Sequence, residues 1–261
     1  MLKIFIKNRK NQNIAVIVEK AEPQKGLAFV MHGLGGFKEQ PHIQAMAEAF
    51  KENGYSVIGF DTTNTFGESE GKYEDATVTN YYEDLEDVVD WAKEQDWYQK
   101  PFILAGHSLG GICTALYAEK YPENVLALAP IATAVSGQLM KENYSRYGED
   151  YLKKWQEIGY FESPSVSRPG VIKRIKWQFL EDSLQYDLLP QVKNLKMPVL
   201  LIVGDKDMST PVTQQQILFK VLPGIKELHI IKGADHNFRA PEYLVELRQI
   251  FDQWLRKIYN F

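Results

Sequence analysis

Gly106, His107, Ser108, Leu109 and Gly110 set a serine between two glycines, each two positions away. Phe102 to Ala105 before them is an apolar run that reads as the end of a buried strand, and Gly111 to Tyr121 after them carries helix formers with apolar spacing. A serine on so sharp a strand-to-helix turn takes a strained backbone and holds its hydroxyl clear of the sheet. Gly106 and Gly110 are required because side chains there would collide where strand and helix pack closely. The amides that open the helix point at the hydroxyl, so the N–H of Leu109 can donate to a developing oxyanion. A serine hydroxyl is a weak nucleophile at neutral pH, so this chemistry needs a base, an acid to orient the base and a second oxyanion donor. A plain glycine turn between a buried strand and a helix is the alternative, and the pattern alone leaves it open.

His32, His42, His107, His229 and His236 are the available bases. His107 adjoins the serine, but neighbours in a tight turn point in different directions, so it reads as structural. His229 falls inside the predicted strand Glu227 to Ile231 and reads as a packed, hydrogen-bonded residue. His236 lies in the loop Lys232 to Phe238, beyond that strand, at the C-terminal edge where open α/β sheets build their sites. It is the predicted base, and activity should then fall as pH drops through the histidine's titration, about 6.5 for an unperturbed imidazole. The carboxylate that fixes its tautomer is expected on the same edge, where Asp205 and Asp207 both follow the strand-like run Val199 to Val203. Asp235 is too close in sequence to His236 to orient it. The second oxyanion donor is expected in His32, Gly33, Leu34, Gly35, Gly36, just after the all-apolar Leu27 to Met31, with the Leu34 N–H beside that of Leu109. A strand, glycine turn and helix followed by Asp61 also mimic a dinucleotide-binding unit, but Lys38 stands where its third glycine belongs.

The elements that must position these residues alternate along the chain. Leu2 to Lys7 and Ile14 to Glu19 predict an edge hairpin, and Leu27 to Met31 and Tyr55 to Phe60 predict strands around a helix from Pro41 to about Glu52. Tyr81, Leu85, Val88, Val89 and Ala92 recur at helical spacing, and Glu83, Asp84, Glu86 and Asp87 between them read as a solvated face. Val125 to Leu128 is a further strand, Pro211 opens a helix, and Leu244, Leu247, Phe251, Trp254, Leu255 and Ile258 form the buried stripe of a last helix from Pro241. Such alternation implies a mostly parallel sheet with helices on both faces. It lapses across 132–196, where Tyr144, Tyr147, Tyr151, Trp155, Tyr160, Phe161 and Trp177 mix with basic residues such as Arg168 and Lys173, and Pro164, Pro169 and Gly170 interrupt the pattern. That interval is too long for a plain connection and predicts an inserted cap within a single domain, 1–261.

The 261 residues are 44% hydrophobic with a formal net charge of -4, which gives no reason to expect nucleic acid or an anionic membrane as partner. A single cysteine, Cys113, excludes an internal disulfide and a cysteine-based zinc site. No apolar run reaches the length of a membrane span, and Lys3, Lys7, Arg9 and Lys10 break up the apolar N-terminus, so a cytoplasmic protein is expected, as monomer or homodimer, with no cofactor or metal.

These motifs, in order, resemble the α/β-hydrolases, nearest to the capped serine esterases and peptidases that include bacterial cinnamoyl (feruloyl) esterases. The resemblance rests on His32 to Gly36, Asp61 with Gly67, Ser69 and Gly71, the segment Gly71 to Thr79, the elbow, Gly204 to Asp207 and Gly233 to His236. It implies an α/β-hydrolase fold and a triad of Ser108, Asp207 and His236. Asp207 is favoured over Asp205 because the acid in such families falls three residues after the glycine. It also implies hydrolysis of small carboxylic esters through an acyl-enzyme. Where cinnamoyl esterases bind the phenolic hydroxyl with a cap carboxylate, Thr133 to Met140 offers Ser136 and Gln138 but no acid, so a hydroxycinnamate preference is not carried over. A lipid ester hydrolase, an aminopeptidase and an acyltransferase would use the same triad, and a noncatalytic ligand receptor could share the fold. An aminopeptidase would need a carboxylate near the substrate amine, for which Glu142, Glu149, Asp150, Glu157 and Glu162 are available.

Overall fold

Strands that are apolar throughout, and so covered on both faces, build the centre of the molecule. The computed structural model describes residues 1–148, 150–165 and 170–258, so Glu149, Arg168 and Pro169 lie outside the described residues. An eight-stranded sheet contains β1 (Leu2–Lys7), β2 (Asn13–Glu19), β3 (Gly26–Met31), β4 (Tyr55–Phe60), β5 (Phe102–His107), β6 (Val125–Ile131), β9 (Val199–Gly204) and β10 (Lys226–Ile231). Their order is β1-β2-β4-β3-β5-β6-β9-β10; β2 pairs antiparallel with both β1 and β4, and the strands from β4 to β10 run parallel.

Strict alternation divides the buried side chains between two cores. Leu27, Phe29 and Met31 of β3, with Phe102 and Leu104 of β5 and Val199 and Leu201 of β9, face α2 (Val78–Ala92) and α3 (Leu109–Lys120). Ala28, Val30, Ile103, Ala105, Leu200 and Ile202 face the opposite way, toward α1 (Pro41–Glu52) and α8 (Pro241–Lys257). Trp254 of α8 is 1% exposed and meets Phe251 edge-on, so Trp254→Ala should leave a cavity. The expected loss is about 3–5 kcal/mol of folding free energy, read by urea denaturation.

Three sequence expectations change. β6 extends to Ile131, beyond the predicted end at Leu128, and α2 begins a turn earlier than the apolar spacing suggested, at Val78, with the Thr77 hydroxyl accepting from the Asn80 N–H at 3.0 Å. The acidic run on α2 is not a solvated face. Asp84 is 1% exposed and accepts from the amide and hydroxyl of Thr63 at 2.6 and 2.7 Å and from Asn8 at 2.9 Å. Glu86, also buried, pairs with Lys120 at 2.8 Å and Arg9 at 3.1 Å. Helical spacing records which side chains are apolar; it does not show that a neighbouring loop brings donors to the charged ones.

Between β6 and β9 the chain leaves the sheet for α4 (Gly137–Ser145), α5 (Tyr151–Ile158), an antiparallel hairpin of β7 (Tyr160–Pro164) and β8 (Ile172–Lys176), and α6 (Gln178–Ser183). Its aromatic residues pack on one another: Trp155 lies 5.1 Å from Tyr144, 5.5 Å from Trp177 and 6.1 Å from Phe161, ring centre to ring centre. This cluster, with the Trp155 N–H donating to the Ile175 carbonyl at 3.2 Å, ties the insertion together and continues the core on the α2 and α3 face of the sheet. The remaining helix, α7 (Val212–Val221), connects β9 to β10. No helix among the described residues is long and apolar enough to cross a membrane.

Candidate active site

β5 and α3 meet at Ser108, whose backbone takes φ 56° and ψ -113°. An L-residue at positive φ costs about 1–2 kcal/mol, so the surroundings must impose it. They do so through the Ser108 N–H, which donates to Ile131 O at 3.0 Å, and the Ser108 carbonyl, which accepts from Gly111 at 3.0 Å and Ala134 at 3.2 Å. Close approach needs glycine next to the serine: a Cβ on Gly110 would lie 2.4 Å from the His32 carbonyl oxygen. Gly106 ends the pairing of β5 with β3.

The turn after β10 carries His236 over this elbow. Its Nδ1 lies 2.7 Å from Asp207 Oδ2 and its Nε2 lies 2.9 Å from Ser108 Oγ. A carboxylate only accepts, so Nδ1 carries the proton and Nε2 is left to accept from the serine hydroxyl. Asp207 is 3% exposed, and its other oxygen accepts from the N–H groups of Ser209 at 2.7 Å and Thr210 at 2.9 Å. Burial by itself would raise this carboxyl. The hydrogen bond and charge of His236, with the bonds from Thr210, outweigh that and hold it below the ordinary carboxylate range.

Asp205, the alternative acid, instead accepts from the Gly233 N–H at 2.7 Å and braces the turn that leads to His236. Both aspartates follow β9 closely; the direction of the turn between them separates their partners. Asp235 pairs with Arg239 at 2.9 Å, and His229 contacts Glu227 at 3.0 Å on β10. His107 is buried, and its Nε2–H donates to the carbonyl of His236 at 2.8 Å. The sequence reading of His107 as structural missed its partner, since sequence does not show which loop the elbow supports. His42 meets it edge-on, ring centres 4.3 Å apart; burial first, then the neighbouring imidazoles, lower both pKa values, that of His42 to about 3.

The loop after β3 closes the other side. His32 Nε2 accepts from the Thr62 N–H at 3.1 Å, so its Nδ1–H donates to Gly33 O at 2.8 Å. Burial lowers the His32 pKa and keeps the ring neutral. A Cβ on Gly33 would lie 3.0 Å from both Ser108 Cβ and His107 Nδ1, so a larger residue would press the Leu34 peptide away from the elbow. Gly35 donates to Tyr81 Oη at 3.1 Å. Among the described residues, no group of the chain accepts from the Leu34 or Leu109 N–H, and both residues border the cavity over Ser108. Asp61, the acid of the dinucleotide alternative, is fully buried and accepts from the Lys38 ammonium at 2.7 Å and the Lys38 N–H at 2.8 Å, so it is turned inward, away from any ligand.

A serine hydroxyl, an imidazole and a buried carboxylate hydrogen-bonded in this order have the geometry that acyl transfer uses. Residues 22–240 match the model of the family described as "Serine aminopeptidase, S33". The chain belongs to this family. The serine aminopeptidase family lies within the α/β-hydrolase superfamily, and the mostly parallel eight-stranded sheet with helices on both faces is that fold. This family member is 27% identical over 215 residues to the palmitoyl-protein thioesterase ABHD10, mitochondrial, of Bos taurus, covering 82% of this chain and 68% of that protein. The structure of alpha/beta hydrolase domain-containing protein 10 from mouse superposes with a TM-score of 0.81 at 25% identity, over 99% of this chain and 100% of that one. Est1E from Butyrivibrio proteoclasticus, with ferulic acid bound, superposes with a TM-score of 0.82 at 20% identity, over 99% and 100%, a likeness of fold.

In this serine aminopeptidase family member the insertion and the sheet edge enclose a cavity of about 490 Å³ above Ser108. Leu34, Leu109, Tyr144, Tyr147, Phe161 and Phe179 supply much of its apolar wall. Ser136 caps α4, accepting from the Leu139 N–H at 3.2 Å, and Gln138 donates to Glu142 at 3.1 Å; neither lines the cavity. Thr210 supports the site in a way that spacing alone did not mark, its hydroxyl lying 2.8 Å from Ala132 O and 2.9 Å from Asp207 Oδ2.

Proposed function

We propose that this protein is a serine hydrolase that cleaves carboxylic esters through an acyl-enzyme. The observation that carries this reading is the hydrogen-bonded chain from Ser108 Oγ through His236 to Asp207, built on a strained elbow at the floor of a cavity. Ser108 Oγ attacks the ester carbonyl while His236 Nε2 takes its proton, and Asp207 holds the imidazolium that forms. The Leu34 and Leu109 N–H groups receive the carbonyl oxygen as it becomes an oxyanion. His236 then gives the proton to the leaving oxygen, the C–O bond breaks, and water, activated by the same imidazole, releases the acid and restores Ser108. Segment 132–196 acts as the cap, its aromatic cluster shaping the acyl site.

A thioester is attacked by the same groups and breaks at a C–S bond. The 27% identity to a palmitoyl-protein thioesterase favours testing it alongside oxygen esters. The decisive experiment is intact-mass and peptide mass spectrometry after exposure to a fluorophosphonate. One adduct, on Ser108 and absent from Ser108→Ala, is expected; a folded protein that forms no adduct would overturn the reading.

A further inference from the structure

The hairpin of the insertion reverses an ordinary pattern. On β8, Ile172 is 58% exposed, while the next residue, Lys173, is half-buried and lines the cavity. Alternation puts Lys173 on the same face as Ile175, and its cross-strand partner Ser163 and the next inward residue, Phe161, line the cavity with it. A hairpin selected for stability alone would turn the isoleucine inward and the lysine to water. The outward residues are paired in the usual way, Arg174 with Glu162 at 2.8 Å and Lys176 with Asp75. Lys173 has no ion pair among the described residues.

The rest of the wall has the same sign. Arg146, Lys173 and Arg239 border the cavity, and among its described lining residues there is no aspartate or glutamate. Arg146 is exposed and stacks over Tyr147, its guanidinium carbon 5.0 Å from the ring centre, and Arg239 pairs through Nη1 with Asp235 at 2.9 Å. Of the carboxylates named for an amine-binding site, Glu149 is outside the described residues and the described ones are elsewhere: Glu142 accepts from Gln138, Glu157 faces Lys153, Glu162 holds Arg174, and Asp150 is an exposed residue ahead of α5. A half-buried ammonium with no counter-ion among the described residues is costly unless a ligand supplies one. Burial first, then the nearby charge of Arg239, lowers the Lys173 pKa, and both effects are relieved by a bound anion.

We propose that the ester this protein hydrolyses carries an anionic group, a carboxylate or a phosphate, held by Lys173 and Arg239 while the uncharged acyl part lies against the aromatic wall. The proposal rests on the ester hydrolase reading and names its substrate class. It also accounts for a serine aminopeptidase family member whose cavity would repel a substrate ammonium.

The test compares phenyl butyrate with 4-(butyryloxy)benzoate, its methyl ester, and 4-(butyryloxy)phenyl phosphate, together with the phenyl monoester of succinic acid and its methyl-capped form. At least one anionic ester should exceed its neutral counterpart by about tenfold or more in kcat/KM, mainly through KM, with the advantage shrinking as salt rises. The favoured member identifies carboxylate or phosphate, and acyl or alcohol side. Lys173→Met should bring the anionic-to-neutral ratio toward one and Lys173→Arg should restore most of it, each variant checked by its thermal melt. A wild type that takes up fluorophosphonate yet shows no anionic preference overturns this assignment alone, as does a ratio that survives in folded Lys173→Met. A protein that neither labels nor turns over any ester overturns both readings.

Discussion

Ser108→Ala is expected to lower kcat/KM on an activated ester by about 10⁵- to 10⁶-fold, because the side chain that forms the acyl-enzyme is gone while the rest of the site stays. Alanine keeps the Cβ, so the turn at φ 56° and the bonds from Ser108 to Ile131, Gly111 and Ala134, all made by the backbone, persist. The residual rate should be that of an oxyanion site without a nucleophile. Ser108→Gly should be equally inactive and yet more stable by about 1 kcal/mol, since glycine takes positive φ without the steric penalty. Steady-state rates and urea denaturation of the two variants measure these effects. A stability gain in the glycine variant alone identifies strain held at the elbow for function, whereas turnover retained by either variant refutes the nucleophile.

Asp207→Asn should cost about 10⁴-fold in kcat with little change in the fold. The amide oxygen of asparagine can keep the N–H bonds from Ser209 and Thr210, but its NH₂ then faces His236 Nδ1 across the 2.7 Å contact. A donor there makes Nδ1 the acceptor and moves the ring proton to Nε2, which can no longer receive the Ser108 proton. Asp205→Asn keeps an amide oxygen that can accept from the Gly233 N–H, does not touch His236, and should retain most of the activity. Equal losses in the two variants would reject the assignment of the acid. The same carboxylate carries a pH signature. Its folded-state pKa lies below the unfolded value, so it stabilises the protein above the unfolded aspartate pKa of about 3.9. That stabilisation is lost as pH falls through the lower folded value, and the acid limb of a stability-versus-pH curve should be shallower in Asp207→Asn.

The chemistry of the site was legible wherever a motif occupies one continuous stretch. Gly106 to Gly110 and His32 to Gly36 each follow a strand apolar enough to be recognised without a structure, because a strand buried on both faces leaves no polar position. His236 could be chosen because its loop follows a strand at the C-terminal edge of the sheet, whereas His229 falls inside that strand and His107 adjoins the serine. The acid was harder to choose. Asp205 and Asp207 share a loop, and the residues alone left both open until the spacing common to the resembling family favoured Asp207. Charge on α2 was misread because the donors that bury Asp84, at Asn8 and Thr63, come from distant positions in the chain.

By itself, then, the sequence determined the alternation of strands and helices, the sharp turn at Ser108 and the chain order of Ser108, the Asp205 to Asp207 loop and His236, all of which depend on local backbone preference and on apolar runs that must be covered. Only the tertiary structure decided what crosses between segments: which aspartate meets His236, that His107 holds the carbonyl of His236, and that Lys173 turns into the cavity while Ile172 turns out. The physical reason is that hydrogen bonds and ion pairs act over a few ångströms in space between residues as far apart as Ser108 and His236, and no local propensity records such a distance.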